Sequence, residues 1–305
     1  MSATVLPSPA KINIFLAVTG KRPDGFHELV SVAAPLAWGD SLRIEPVAVR
    51  SGEGQFSLTC DDPDVPGDEG NLVLKAARAF QEATGWNGSA HFQLEKRIPT
   101  GAGLGGGSSN AVAALRGLNA LAGEPLSPAA LRELATRLGS DCALFLHDGP
   151  VVMRGRGERV EALPSAAAAR LRGLPVLLFK PAFGISTPWA YARLAAMAAK
   201  APEGHPVYFS ADEAEQRLAS WLQKPEEPLG ALLLNTMELA AFAKFAALPV
   251  LLAQLEVEFG LAPRMSGSGS ACFALLPAEA QVEAIIAAIQ DAWGPAAWVV
   301  RTTLA

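Results

Sequence analysis

An α+β fold is predicted by three observations on this chain. Strand-type and helix-type runs alternate irregularly over 305 residues, without the steady strand–helix beat of a doubly wound parallel sheet. Half of the residues are hydrophobic and 18% are charged, which supplies a large core and excludes a disordered chain. No tandem repeat runs through it, so a solenoid or propeller is not expected.

The elements follow in order. Residues 11–18 read as a strand, with 41–46 and 55–60 as two more. Leu72, Leu74, Ala76, Ala79 and Phe80 give residues 71–84 a helical apolar face. A strand at 91–94 precedes a glycine-rich loop, and Ala111, Val112, Leu115 and Leu118 then mark a helix. Ser127 as cap and Pro128 at the first position open another helix through 138. Residues 145–154 hold a turn and a strand. The alanine-rich stretch 162–173 carries little pattern, and the domain boundary is placed there, giving domains 1–165 and 166–305. Beyond it come a buried strand at 175–180, a helix at 188–199 and a Pro/Gly-marked loop at 201–206. Helical stretches run on to 255, and the turn 264–270 leads into a strand at 271–276. A helix at 279–293 and a strand at 298–302 close the chain.

Composition narrows the function. A net charge of −5 and the absence of any Lys/Arg block argue against a nucleic-acid partner, because phosphate neutralisation needs clustered cations. The N-terminal residues lack the basic and apolar regions of a secretory signal, and no apolar run approaches the length of a bilayer span, so a cytoplasmic protein without a membrane partner is expected. Three scattered cysteines and four scattered histidines offer neither a disulfide framework nor a zinc site, and no metal-ligating residue is assigned.

The loop Pro99, Thr100, Gly101, Ala102, Gly103, Leu104, Gly105, Gly106, Gly107, Ser108, Ser109 carries the chemistry. Glycines let a backbone approach a ligand closely, and the helix that follows presents unpaired N–H groups to an anion. Ser108 or Ser109 is expected as the helix cap. Strand, loop and helix together favour a phosphate site over a mere packing corner. It is not a Walker A loop, since the last glycine precedes Ser108-Ser109-Asn110. Gly101, Gly103 and Gly106 fit G-x-G-x-x-G, but residues 119–123 hold no acidic group for a dinucleotide ribose.

Five segments occur in a telling order: Pro9-Ala10-Lys11-Ile12-Asn13, Gly20 through Leu29 with Arg22-Pro23-Asp24-Gly25-Phe26-His27 inside it, the glycine loop, Asp141, and Ser266-Gly267-Ser268-Gly269-Ser270. Together they resemble the GHMP small-molecule kinases, over about residues 7–300. The glycine loop points only to the superfamily. The first two runs are the specific part, and resemble members that act on 4-diphosphocytidyl-2-C-methyl-D-erythritol in non-mevalonate isoprenoid biosynthesis.

The resemblance implies an N-terminal domain like domain 2 of ribosomal protein S5 and a ferredoxin-like C-terminal domain, with the active site in the cleft between them. It implies ATP as co-substrate, phosphorylation of the tertiary 2-hydroxyl, and Mg²⁺ brought largely by the ATP phosphates. Asp141 matches the catalytic aspartate that accepts the hydroxyl proton, and Lys11 its partner lysine. Ser108 is a candidate to touch phosphate or Mg²⁺, and Asn71, Lys96 and Asn110 match positions around adenine and ribose. Phe26 and His27 match the cytidine-recognising pair, Asn13 is placed at the erythritol hydroxyls, and Thr187 and Tyr191 match a second substrate segment. The Ser266–Ser270 turn corresponds to the third motif and braces the phosphate loop.

The chain departs from the pattern twice. Many relatives carry Asp-Val-Pro-Phe-Phe where this chain reads Asp141-Cys142-Ala143-Leu144-Phe145, and Asn-Asp where it reads Asn235-Thr236 before Met237-Glu238. The alternatives are a kinase for another small alcohol, such as homoserine or a mevalonate derivative, and a catalytically inactive nucleotide-binding paralogue. Either a monomer or a homodimer fits the sequence.

Overall fold

The computed structural model describes residues 3–48 and 54–305. The chain forms two compact units. The first comprises Met1–Ala10, Trp38–Thr100 and Gly105–Asp148, and the second Lys11–Ala37, Gly101–Leu104 and Gly149–Ala305. Two long strands, β1 (Thr4–Lys21) and β2 (His27–Val47), therefore contribute residues to both.

In the first unit, β3 (Phe56–Cys60), helix α1 (Leu72–Thr84) and β4 (Ser89–Glu95) follow one another in the chain. The second half of β2 pairs antiparallel with β4, and β3 pairs parallel with β4 on its other edge. Asn71 caps α1 by accepting from the Val73 amide at 2.9 Å, and Gly85 ends it in the left-handed region. Helix α2 (Gly106–Leu121) packs on α1, and α3 (Pro128–Leu138) on both. Apolar side chains of the sheet (Leu42, Ile44, Phe92, Leu94) and of the helices (Val73, Phe80, Val112, Leu115, Leu118) are buried in its core.

The second unit begins on the first half of β2, against which β5 (Val151–Gly155) pairs antiparallel, with β6 (Arg159–Ala162) beyond it. Residues expected to be featureless form the short helix α4 (Ser165–Leu171), with Ala167 and Leu171 buried. An alanine-rich run shows little amphipathic contrast, yet alanine is the best helix former. There follow β7 (Pro175–Lys180), α5 (Thr187–Ala198), α6 (Ala211–Gln223), β8 (Leu234–Asn235), α7 (Glu238–Phe242) and α8 (Ala247–Phe259). The chain ends with β9 (Arg264–Met265), β10 (Cys272–Leu275), α9 (Val282–Trp293) and β11 (Trp298–Thr303).

Strands β7, β9, β10 and β11 form an antiparallel sheet in the order β11-β7-β10-β9. Numbered along the chain this is fourth-first-third-second. Helical chain lies between the first and second strands, and α9 between the third and fourth, which is the ferredoxin-like split βαβ arrangement. Strand β7 is buried from Val176 to Phe179, as expected for an inner strand. The α+β architecture expected from the sequence is the one found.

Candidate active site

In the first unit, the functional side chains gather at the start of α2. Gly105 stands as its N-cap with φ +75°, and no side chain caps the helix. The expectation that Ser108 or Ser109 caps is therefore corrected: both lie inside the first turn. A left-handed N-cap needs glycine, and it starts the helix three residues earlier than a cap at Ser108 would. No acidic side chain occupies that first turn, so its amides and the positive end of the dipole face an anion unopposed. Ser109 Oγ is buried and has no hydrogen-bond partner among the described residues. An orphaned buried hydroxyl beside a helix start suits a phosphate oxygen.

Asp141 sits in the turn between α3 and a short 3₁₀ helix, Ala143–Leu146. Its neighbour Cys142 is buried, and burial pushes the thiol up to about 11, against a hydrogen bond from Ser108 that works the other way. That bond places the first turn of α2 beside the Asp141 segment. Cys142 is an inert packing residue at neutral pH. The 3₁₀ helix begins at Ala143, the position where the family pattern has proline, so the turn forms here without one.

Lys96 and Asn110 belong to one buried polar cluster around Asp40, which sequence reasoning missed. The Asp40 side chain is fully buried, and Lys96 Nζ pairs with it. It also accepts from the Arg97 and Ile98 amides at 2.7 and 2.8 Å and from Asn110 Nδ2 at 2.9 Å. Asn110 donates to Ser8 Oγ as well, at 2.7 Å. One carboxylate thus fastens the segment leading into the glycine loop to the first turns of α2. Asn71 stands apart, its oxygen capping α1 and its nitrogen donating to the Pro66 carbonyl at 2.8 Å.

In the second unit, Lys11 is 3% exposed and donates from Nζ to Asn13 Oδ1 at 2.5 Å. Asn13 Nδ2 donates to Ser31 Oγ at 2.9 Å, and Ser31 in turn to the Phe15 carbonyl at 2.6 Å, which fixes the amide's orientation. The Ser266–Ser270 turn holds the glycine loop as expected. Ser266 Oγ donates to the Gly103 carbonyl at 3.1 Å, and the Ala271 amide to the Ala102 carbonyl at 3.0 Å. Gly103 has φ +79°, and a Cβ there would lie 2.2 Å from the Ser266 carbonyl oxygen. Thr187 and Ser268 share a hydrogen bond of 2.7 Å.

Asn235 Nδ2 donates to the carbonyls of Met265 and Gly267 at 2.7 and 2.8 Å, and Glu238 accepts from the Met265 amide at 2.8 Å. Burial pushes the Glu238 carboxyl up to about 7, against the opposing pull of that amide and of Arg264. Thr236, where relatives carry aspartate, accepts from the Val18 amide at 2.9 Å. The Thr236 hydroxyl also donates to the Leu16 carbonyl at 3.4 Å.

His27 is buried, with its ring 5.0 Å from that of Tyr191 and 5.9 Å from that of Tyr208. Burial and then the charge of Lys21 lower its pKa, so it is neutral at pH 7. Phe26 is half exposed and carries the Arg156 guanidinium 4.7 Å from its ring centroid. Tyr208 and Arg156 were not singled out from the sequence, since a tyrosine in a Pro/Gly-rich loop and an arginine after a strand carry no spacing signal. Among the described residues no group of three or more His, Cys, Asp or Glu side chains converges as a metal cage, and no helix is long and apolar enough to cross a membrane.

The family described as "GHMP kinases N terminal domain" matches residues 71–149, and "GHMP kinases C terminal" matches residues 217–295. The chain belongs to the GHMP kinases. A 4-diphosphocytidyl-2-C-methyl-D-erythritol kinase of Synechococcus sp. (strain CC9902) is 41% identical over 88% of this chain and 86% of its own. The crystal structure of a 4-(cytidine 5'-diphospho)-2C-methyl-D-erythritol kinase superposes with a TM-score of 0.74 at 34% identity, over 99% of this chain and all of that one. A homoserine kinase from Cytophaga hutchinsonii, at 19% identity and a TM-score of 0.67 over 96% of this chain and 95% of its own, shares the fold.

Proposed function

We propose that this GHMP kinase transfers the γ-phosphoryl group of ATP to the tertiary 2-hydroxyl of 4-diphosphocytidyl-2-C-methyl-D-erythritol, releasing ADP and the 2-phosphate. The observation that carries the substrate choice is the buried His27 ring 5.0 Å from that of Tyr191. A base has a π-face to stack and an edge to read, whereas homoserine and mevalonate offer neither. The extent of likeness to kinases of that name supports the same choice.

Phosphoryl transfer asks a protein for positioning and charge neutralisation, plus a base for the nucleophile's proton. The α2 amides and the Ser108 and Ser109 hydroxyls are assigned to the ATP phosphates, with the loop from Pro99 to Gly107 around them. Asp141 accepts the proton of the 2-hydroxyl. The Lys11 ammonium, oriented through Asn13, stabilises charge on the attacking oxygen. Beyond these bonds Asn13 has one amide hydrogen and one oxygen lone pair for the tetritol hydroxyls. Mg²⁺ would be held largely by the ATP phosphate oxygens, with the hard oxygen of Ser108 as a candidate contact, and would neutralise the transferring group. Asn71, Lys96 and Asn110 shape the nucleoside end, the latter two through Asp40, and Phe26 and Thr187 complete the substrate contacts. We place a functional division at residues 1–165 and 166–305, with one family match on either side of it, whereas the compact units assign 11–37, 101–104 and 149–165 to the second.

The test is ADP release by the purified chain with Mg·ATP and a panel: the cytidine compound, its cytidine-free counterpart, homoserine and mevalonate. Turnover confined to the first is expected. Turnover with a cytidine-free alcohol would overturn the roles given to His27 and Tyr191.

A further inference from the structure

Tyr208 reaches the His27 ring from a loop far along the chain. Its hydroxyl lies 3.3 Å from His27 Nε2. The loop is pinned next door, where the Phe209 amide donates to the Val18 carbonyl at 3.0 Å, so Tyr208 is delivered to a strand that neighbours His27 in the fold. Its ring also closes one wall of a hollow of about 570 Å³ lined by Lys21, Ala195, Pro202 and His205.

A neutral imidazole has two tautomers, with a donor on one nitrogen and an acceptor on the other. Which one is present is set by the partner of the fixed nitrogen. Burial raises the Tyr208 phenol above its ordinary range, so it keeps its proton at neutral pH and has one to give. Burial also keeps His27 neutral, so one of its nitrogens is free to accept.

We propose that Tyr208 is a positioning residue for nucleobase selection: its O–H donates to His27 Nε2 and so presents the ring to the ligand as an Nδ1–H donor. The inference rests on the cytidine reading given above. Such a donor complements the ring N3 of cytosine, which is an acceptor. It opposes uracil at N3, which carries a hydrogen of its own. Base choice would then be set one residue away from the base, by a tyrosine that need not touch it.

The experiment uses the full-length chain and Tyr208→Phe, which keeps the ring and the hollow's wall and removes only the hydroxyl. The first readout needs no substrate. Nitrogen-15 spectra of the free protein, with His27→Gln to assign the signals, report which ring nitrogen of His27 carries the proton. The Nδ1–H form is expected to dominate in the parent, with a shift toward Nε2–H in Tyr208→Phe. The second readout is steady-state kinetics with the cytidine substrate and its uridine analogue. Loss of one neutral hydrogen bond is expected to raise KM for the cytidine compound about 3- to 10-fold. It should narrow the cytidine-to-uridine preference, with kcat moving much less.

A parent in the Nε2–H form, or an unchanged tautomer in Tyr208→Phe, would overturn the proposal. So would a raised KM with undiminished base preference, which is what a merely structural loss would give. Should the chain turn over neither compound, the substrate reading fails, while the nitrogen spectra still decide whether Tyr208 sets the tautomer.

Discussion

Glu238 makes the stability of this kinase depend on pH in an unusual direction. Its carboxyl is largely buried, and burial holds its pKa at about 7 against an ordinary 4.5. The folded chain therefore binds this proton more tightly than the unfolded chain does. Between about pH 4.5 and pH 7 the folded state carries the proton and the unfolded state has lost it, so stability falls as pH rises through that window. Above it the full difference applies. At about 1.4 kcal/mol per pKa unit, a gap near 2.5 units amounts to about 3 kcal/mol.

Glu238→Gln is the perturbation that isolates the effect. The glutamine oxygen still accepts from the Met265 amide, whereas the charge is gone. Urea or thermal unfolding of both proteins from about pH 5 to pH 8.5 is the assay. The two are expected to have similar midpoints at the acid end. They should separate as pH rises, with Glu238→Gln the more stable by up to about 3 kcal/mol at the alkaline end. Midpoints that stay parallel across the range would refute the reasoning. Glu238 accepts from the Met265 amide, and Met265 leads into the turn that holds Gly103, so desolvation of the ionised carboxylate is felt next to the segment bracing the glycine loop. ATP affinity of the parent is expected to weaken over the same pH window, and that of the glutamine variant is not.

Asp141→Asn is expected to leave ATP affinity within about twofold in equilibrium titration while lowering kcat about 10²-fold or more, the usual scale for a lost general base; near-normal kcat would remove Asp141 from that role. His27→Ala is expected to act on KM for the cytidine substrate, and an unchanged KM would move base recognition elsewhere. Gly103→Ala combines a left-handed φ of +79° with a Cβ 2.2 Å from a backbone oxygen. Calorimetry is expected to show a loss of about 2 kcal/mol or more together with weakened ATP binding; a stability equal to the parent's would contradict the geometry.

Much of the fold was legible because local signals agreed. Ser127 and Pro128 announce α3, and the apolar stripe from Leu72 to Phe80 announces α1. Strand β2 was read only at its second half, since residues 29–36 are buried on both faces and, Ser31 apart, apolar, so they give no alternation. The site was legible in a different way. The glycine loop points to a phosphate site by its own chemistry, whereas the roles proposed for Lys11, Asp141, His27 and Tyr191 rest only on likeness to a family. Asp40 and Tyr208 escaped both routes. Asp40 meets Lys96 across 56 positions and Tyr208 meets His27 across 181, and neither stands in a motif. Such pairings are set by tertiary packing, which a single sequence does not display.

The central claim is that phosphate is placed on a tertiary alcohol of a cytidine-bearing substrate. Phosphorus-31 spectra of the reaction product test it most directly. A tertiary ester has no hydrogen on its carbinol carbon, so the new phosphomonoester signal is expected as a singlet appearing together with ADP. A signal split by a carbinol hydrogen would place the phosphate on a primary or secondary hydroxyl and contradict the account, as would ATP consumption without any new ester.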